Sequence, residues 1–322
     1  GNENPFGPSE KVQAALAACN NFNIYPDPLQ RRLRKAISSY SGTDTSQVVA
    51  VSGCDELIDL ILRLFLSPGN HVIDCKPTFG MYEFSTQICG GTIVSVERNS
   101  DFSIDVSGIK DAITPETKIV FLCSPNNPTG NITTEDDIVQ ILDTGIVVVV
   151  DETYHEFCGA TSAHLLPKYK NLIIMRSFSK WAGLAGFRIG YGMMSKILAE
   201  KILSIKQPYN ITVPSEVAVM ATLQDTDLLL QRVRMLVAER ENLRNLLSEI
   251  DGVKVWPSKG NFLLCEFDSS NATYVHSGLM QLGIFVRSFN GNRLKNCLRI
   301  SAGMPKDTSK VASAIKKLIN KG

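Results

Sequence analysis

The residues able to do chemistry fall in four short stretches. Ser124-Pro125-Asn126-Asn127-Pro128-Thr129-Gly130 follows an apolar run at 118–123, and Asp151-Glu152-Thr153-Tyr154 follows a run of valines. Ser177-Phe178-Ser179-Lys180 follows the run 171–176, with Arg188 soon after, and Gly53-Cys54-Asp55 opens an apolar helical stretch. A helix N-terminus, backbone N–H groups, hydroxyls and an arginine are what a phosphate group requires. A lysine beside them can condense with an aldehyde. A carboxylate facing a pyridine nitrogen keeps it protonated, so that the ring can take up carbanion charge. One cofactor unites phosphate, aldehyde and pyridine: pyridoxal 5′-phosphate. Taken singly, each stretch has a plain structural alternative: a proline-rich turn, a strand-ending aspartate, a surface lysine, an ordinary helix start. Their joint placement favours the cofactor. Nucleotide sites fit less well, because Gly183-Leu-Ala-Gly186-Phe-Arg-Ile-Gly190 lacks the dinucleotide spacing and no P-loop sequence occurs.

In an open α/β sheet, ligands bind outside the carboxyl ends of the strands. The four stretches must therefore be strand and helix termini on one edge. Short β-branched runs at 71–74, 92–96, 118–123, 146–150 and 171–176 alternate with helical or turn-rich stretches, which predicts βαβ units and a mostly parallel sheet. The unbroken apolar run 146–150 suits a strand buried on both faces. Upstream, Pro5, Gly7, Pro8, Pro26 and Pro28 predict an arm wrapped on another surface, with one short helix over 10–19. Helical spacing follows over 29–40 and 55–66, the latter closed by Ser67-Pro68-Gly69. Residues 215–250 read as one or two long helices. The remainder mixes strands at 261–267, 283–287 and 297–301 with helices at 273–282 and 309–319. The expected architecture is α/β: an arm over 1–28, a large cofactor-binding domain over 29–212, and a linking helix with a smaller α+β domain over 213–322.

The length of 322 residues allows two domains. With 33 basic and 32 acidic side chains the net charge is +1, which gives no reason to expect nucleic acid or an anionic membrane as partner. The most apolar stretch, 57–66, is broken by Asp59 and Arg63 and is too short to span a bilayer. The eight cysteines contain no C-x-x-C pair and no zinc-ligand spacing, so no metal is expected and they read as buried, reduced thiols of a reducing compartment. His71, His155, His164 and His276 read as structural, since His155-Glu156 does not continue as H-E-x-x-H. The chain opens on Gly1, which raises the expectation of a trimmed or processed product: plastid stroma after removal of a transit peptide if the source is a plant, cytoplasm otherwise.

The proline–asparagine stretch, Asp151–Tyr154 and the run from Ser177 through Lys180 to Arg188 together resemble the fold type I pyridoxal-phosphate transferases. From Asn2-Glu3-Asn4-Pro5 to Cys297-Leu298-Arg299-Ile300-Ser301 the chain is similar to the histidinol-phosphate aminotransferases. The narrower likeness rests on Tyr25-Pro26, Pro77-Thr78-Phe79-Gly80-Met81-Tyr82, Phe285-Val286-Arg287 and Leu298-Arg299-Ile300. The resemblance implies that Lys180 carries the cofactor and moves the substrate proton, that Asp151 pairs with the ring nitrogen, and that Asn127 and Tyr154 bind the ring hydroxyl. It implies Phe79 on the ring face, and Gly53, Cys54, Asp55, Ser177, Ser179 and Arg188 around the phosphate, with Tyr25 arriving from the other subunit of a homodimer. Arg299 would bind the donor carboxylate. Arg287, helped by Arg299 and by the arm near Asn4, would take a substrate phosphate.

The implied reaction exchanges an amino group between L-histidinol phosphate and 2-oxoglutarate, giving imidazole-acetol phosphate and glutamate. The sequence departs from the family pattern in three places. Cys54 stands where alanine is usual, which preserves the backbone donor, and Phe79 stands where tyrosine is common, which preserves stacking. No tyrosine lies near position 4. An aromatic or broad-specificity aminotransferase, or a phospho-amino-acid decarboxylase, would use the same cofactor set. A pyridoxal-phosphate-binding regulatory module without turnover is disfavoured by the lack of a basic DNA-binding segment.

Overall fold

The structure, a computed structural model, describes residues 2–268 and 271–320. Its larger sheet has seven strands: β1 (Val48–Val51), β2 (His71–Lys76), β3 (Thr92–Glu97), β4 (Thr117–Cys123), β5 (Val147–Asp151), β6 (Leu172–Ser177) and β7 (Gly190–Met194), in the order β1-β7-β6-β5-β4-β2-β3. β7 runs antiparallel to both neighbours and every other pair is parallel. The valine run is the central strand β5. Val148 and Val150 pack into one apolar layer with Ile138 and Ile141 of the helix Glu135–Leu142. Val149 points the opposite way, into a layer formed with Leu57, Ile58 and Ile61 of the helix Cys54–Phe65. Alternation along a strand thus gives helices on both faces, and the doubly buried strand needs no polar position.

Two of these strands and one helix had no clear sequence signal. β1 is only four residues long, and β7 (Gly-Tyr-Gly-Met-Met) has two glycines that mask its period. The helix Lys196–Ile205 buries only Ala199 and Ile202. β1 and β7 pair with each other, so each is stabilised by a partner far away in sequence.

The smaller sheet is antiparallel, in the order β10-β11-β9-β8, from β8 (Val253–Trp256), β9 (Phe262–Phe267), β10 (Arg287–Ser288) and β11 (Cys297–Ser301). The strand expected over 283–287 is reduced to two residues at its end. Ile284 and Val286 pack against the small apolar core while Phe285 is exposed, so the alternation is real but only Arg287 and Ser288 reach a pairing partner. The helix Thr226–Ser248 serves both units: Leu229, Val233 and Leu236 lie in the core of the large sheet, Leu243 and Leu247 in that of the small one. The helix Val213–Leu223 also belongs to the large core through Ala218, Val219 and Ala221. We therefore propose that the small domain begins inside Thr226–Ser248 and not at position 213.

All eight cysteines are free thiols, and Cys75, Cys123, Cys265 and Cys297 are buried while the other four are only partly so. No helix among the described residues is long and apolar enough to cross a membrane.

The arm does wrap on the rest of the chain. Asn4 Nδ2 donates to the carbonyls of Lys180 and Trp181, each at 3.0 Å, and Phe6 lies under the Arg232 guanidinium, 5.5 Å from ring centroid to Cζ. The helix Glu10–Ala18 packs against Val213–Leu223. Close approach is possible because Gly183 has no Cβ: one placed there would lie 2.5 Å from the Gly7 carbonyl carbon, at a φ of +70°. Gly183→Ala is expected to cost about 2 kcal/mol, from the left-handed backbone and the displaced arm together. Limited proteolysis should then cut ahead of Glu10 well before the remainder unfolds. An unchanged urea midpoint and cleavage pattern would show that the arm is not held at this point.

Candidate active site

β4, β5 and β6 end side by side at Cys123, Asp151 and Ser177, with Cys123 opposite Asp151 in register. The loops that leave these ends converge on a cavity of about 280 Å³. Asn127, Asp151, Tyr154, Ser177, Ser179, Lys180 and Arg188 line it from the large sheet, and Cys54, Asp55 and Phe79 from the segments beside it. Arg299 closes it from β11 of the small sheet. Parallel strands of equal sense deliver their following loops to one edge, which is why residues far apart in sequence meet here.

Asp151 is 4% exposed and every hydrogen-bond partner it has is neutral. Tyr82 Oη donates to one carboxylate oxygen at 2.8 Å, and Thr153 donates to the other from its N–H at 3.0 Å and its hydroxyl at 2.6 Å. Burial pushes the Asp151 carboxyl above its ordinary value, while the Thr153 and Tyr82 hydrogen bonds hold it down. Across the cavity, Lys180 Nζ donates to the carbonyl of Asn2 at 3.1 Å. Burial pushes this amine below the ordinary lysine value, and the nearby Arg299 charge adds to the effect. The site therefore holds a carboxylate short of a cation and an amine disposed to lose its proton.

At one end lies the N-terminus of the helix Cys54–Phe65. Its cap, Gly53, brings no side chain to the N–H groups of Cys54 and Asp55, which are left for an external acceptor, while the Glu56 N–H donates to the Gly53 carbonyl at 3.1 Å. Ser177 and Ser179 stand nearby, with the Ser179 N–H donating to Ser177 Oγ at 3.1 Å. Arg188 pairs with Asp55, Nη2 to Oδ2, at 2.8 Å. A Cβ on Gly53 would lie 2.6 Å from Arg188 Nη2, so glycine is what lets the guanidinium pass over the helix end. Gly53 itself shapes this end and does not line the cavity. Cys54 turns its thiol toward the Arg176 carbonyl at 3.3 Å, and burial pushes it well above the usual thiol range, which disfavours the thiolate.

At the other end Arg299 Nη1 donates to Asn127 Oδ1 at 2.6 Å, while its buried Nε has no partner. Of the two neighbouring asparagines only Asn127 faces the cavity. Asn126 fastens its own loop through Thr78, Pro77 and Thr129. These observations fit pyridoxal phosphate: a buried carboxylate lacking a cation, N–H groups with a cationic neighbour at a helix end, an amine with depressed basicity, and a guanidinium short of an acceptor.

Three expected residues sit elsewhere. Asn4 does not reach the cavity: its Nδ2 is spent on the carbonyls after Lys180, and its Oδ1 accepts from the Phe6 N–H. A contact with substrate phosphate is therefore withdrawn for Asn4, and the arm residue that enters the cavity is Asn2. Tyr25 is 77% exposed and stacks on Tyr209 at 4.4 Å, away from the cavity of its own chain. Arg287 is exposed and lies outside the cavity wall, opposite Arg299 in the pairing of β10 and β11. The residues that sequence reasoning missed are Asn2, Tyr82, Cys123 and Thr153. Thr153 had a signal, since an aspartate followed two positions later by a hydrogen-bonding residue is an Asx-turn pattern. Nothing in the sequence joins Tyr82 to Asp151 or Asn2 to Tyr154.

Residues 1–315 match the family described as aminotransferase class I and II. A histidinol-phosphate aminotransferase of Dehalococcoides mccartyi is 42% identical over 314 residues, which is 98% of this chain and 88% of that protein. Histidinol-phosphate aminotransferase 1, chloroplastic, of Arabidopsis thaliana is 44% identical over 318 residues, covering 98% of this chain and 76% of the relative. The crystal structure of histidinol-phosphate aminotransferase from Sinorhizobium meliloti in complex with pyridoxal-5′-phosphate superposes with a TM-score of 0.93 at 27% identity, over 99% of this chain and 89% of that one. L-threonine-O-3-phosphate decarboxylase from Porphyromonas gingivalis shares the fold, with a TM-score of 0.85 at 21% identity over 98% and 96% of the two chains. With the cavity built from the same motifs that carried the resemblance, the chain belongs to the class I and II aminotransferases, among the histidinol-phosphate aminotransferases.

Proposed function

We propose that this chain transfers an amino group between L-histidinol phosphate and 2-oxoglutarate, yielding imidazole-acetol phosphate and L-glutamate, with pyridoxal phosphate as cofactor. The observation that carries the reading is the convergence of Lys180, Asp151 and the Gly53–Arg188 helix end on one cavity, with Arg299 reaching in from the small domain. The 42–44% identity to named relatives supports the substrate.

When bound, the cofactor supplies an aldehyde to receive the amino group and a ring to store charge. The protein's own residues do the rest. The first-turn N–H groups of Cys54 and Asp55, the Ser177 and Ser179 hydroxyls and Arg188 would bind the phosphate. Asp151 would keep a proton on the ring nitrogen, Asn127 and Tyr154 would hold the ring hydroxyl, and Phe79 would cover one face. Lys180 would anchor the cofactor and then, as a free amine, take the proton from substrate Cα. A lysine with lowered basicity suits that step near neutral pH.

Arg299, whose Nε lacks a partner, would bind the glutamate carboxylate. Arg287 and Arg299 are directly paired across β10 and β11, so their side chains leave the same face of the small sheet. Arg287 would meet the substrate phosphate there. Phe22, Ile24, Tyr25 and Leu29 form an exposed apolar stretch suited to a second copy of the chain, through which Tyr25 would reach the partner's cofactor phosphate. The chloroplastic name of the Arabidopsis relative favours the plastid stroma should the source be a plant.

Lys180→Ala is expected to abolish borohydride fixation of the cofactor and to lower turnover by more than ~10³-fold, because anchor and base vanish together. Near-parental turnover would sink the assignment. Asp151→Asn should leave the melting temperature of the cofactor-free protein nearly unchanged. Its affinity for pyridoxal phosphate should fall about 10- to 100-fold, the worth of one charge-assisted hydrogen bond, as read by fluorescence titration. Equal affinity would mean that Asp151 does not face the ring. Arg287 is exposed, so Arg287→Ala should raise KM for histidinol phosphate only about 10-fold while leaving an unphosphorylated aromatic donor unaffected. Equal losses for both substrates would favour an aromatic aminotransferase.

A further inference from the structure

Asn2 makes four hydrogen bonds around the cavity and is 5% exposed. Its Nδ2 donates to Tyr154 Oη at 3.2 Å and to Asn261 Oδ1 at 2.9 Å. Its Oδ1 accepts from Ser301 Oγ at 2.7 Å, and its backbone carbonyl accepts from Lys180 Nζ at 3.1 Å. Tyr154 and Lys180 belong to the large domain. Ser301 ends β11, Asn261 immediately precedes β9, and both belong to the small one. One residue of the arm thus joins the two domains to the two groups expected to handle the cofactor.

The sense of these bonds follows from elementary chemistry. An amide nitrogen can only donate and an amide oxygen can only accept. Asn261 Oδ1 beside Asn2 Nδ2 favours the observed orientation of the Asn2 amide: turned over, the amide would set its oxygen against the Asn261 oxygen, whereas the Ser301 hydroxyl can give or take a proton and pairs either way. In that orientation Tyr154 Oη accepts from Asn2, and its own hydrogen is left to point away from Asn2. Tyr154 lines the cavity, so the phenol is set as a donor into it. The Asn2 carbonyl gives the Lys180 amine a fixed resting place on the wall and favours its protonated form there.

We propose that Asn2 is a positioning residue of this site: its amide sets Tyr154 as a donor toward the cavity, and its carbonyl holds the Lys180 amine. The proposal rests on the aminotransferase reading of the cavity, but its first test does not. In cofactor-free protein, acetylation of Lys180 by acetic anhydride is followed against pH by peptide mass spectrometry, with exposed Lys196 as the internal control. Asn2→Asp keeps the shape and the Ser301 bond but adds a negative charge beside the amine. Lys180 acetylation at pH 8 should slow about tenfold and its pH midpoint should rise, with Lys196 unchanged. Asn2→Ala releases the carbonyl from its side-chain anchors. It should speed Lys180 acetylation about threefold, and it keeps the test alive if Asn2→Asp does not fold.

In the holoenzyme, Asn2→Ala should lower kcat about tenfold with KM for glutamate within twofold. On a Tyr154→Phe background the same change should cost much less, since the phenol it orients is gone. Lys180 labelling that follows the parental profile in both variants, or losses in kcat that simply multiply in the double variant, would overturn the proposal. A misreading of the cavity would instead show as Lys180→Ala retaining turnover, whatever the labelling result.

Discussion

A carboxylate buried at the end of the central strand, with neutral hydroxyls and one N–H as its partners, sets the terms for everything around it. An ionised group in that place costs several kcal/mol unless a cation or a full set of donors compensates. Tyr82 and Thr153 supply part of the compensation to Asp151. Each must itself be held. Tyr82 is fully buried and stacked on Phe121 at 4.6 Å, so its hydroxyl cannot swing away. The remaining deficit is what a protonated ring nitrogen would satisfy. The protein thus trades stability at one position for a binding site of defined charge, a common arrangement at functional sites.

A second constraint is the distribution of charge across the cavity. Lys180, Arg188 and Arg299 bring three cationic side chains to a space whose acidic members are Asp55 and Asp151. Arg188 is paired with Asp55, and Arg299 leans on the neutral Asn127. Burial, and then repulsion from Arg299 and Arg188, lower the basicity of Lys180. The cationic excess fits a ligand set rich in phosphate and carboxylate. The thiols of Cys54 and Cys123, pushed upward by burial, are disfavoured as thiolates and act as small apolar wall.

The site is also a junction. The arm reaches the loop after Lys180 through Asn4 and the cavity through Asn2, while the small domain contributes Arg299, Asn261 and Ser301. The long helix Thr226–Ser248 is rooted in both apolar cores, so the two domains share one rigid element beside this contact.

The sequence by itself determined the βαβ alternation, the buried character of β5 and the identity of the strand-end residues, because these are local facts: unbroken valines, proline–asparagine turns, and a glycine before an apolar helix. It likewise pointed to Lys180, Asp151 and Arg188, whose residue types match one ligand. It did not reveal β1 and β7, which are short or glycine-rich and stabilised by pairing with each other across 139 to 145 positions of chain. Residue chemistry alone did not separate Asn126 from Asn127, where the family resemblance supplied the choice, or Asn2 from Asn4. In each pair the residues have identical chemistry, and only the direction of the backbone decides which amide fastens a loop and which faces the cavity. That direction is set by packing of the arm against Gly183 and of the loop against Thr78 and Pro77, contacts that exist only once distant segments have come together.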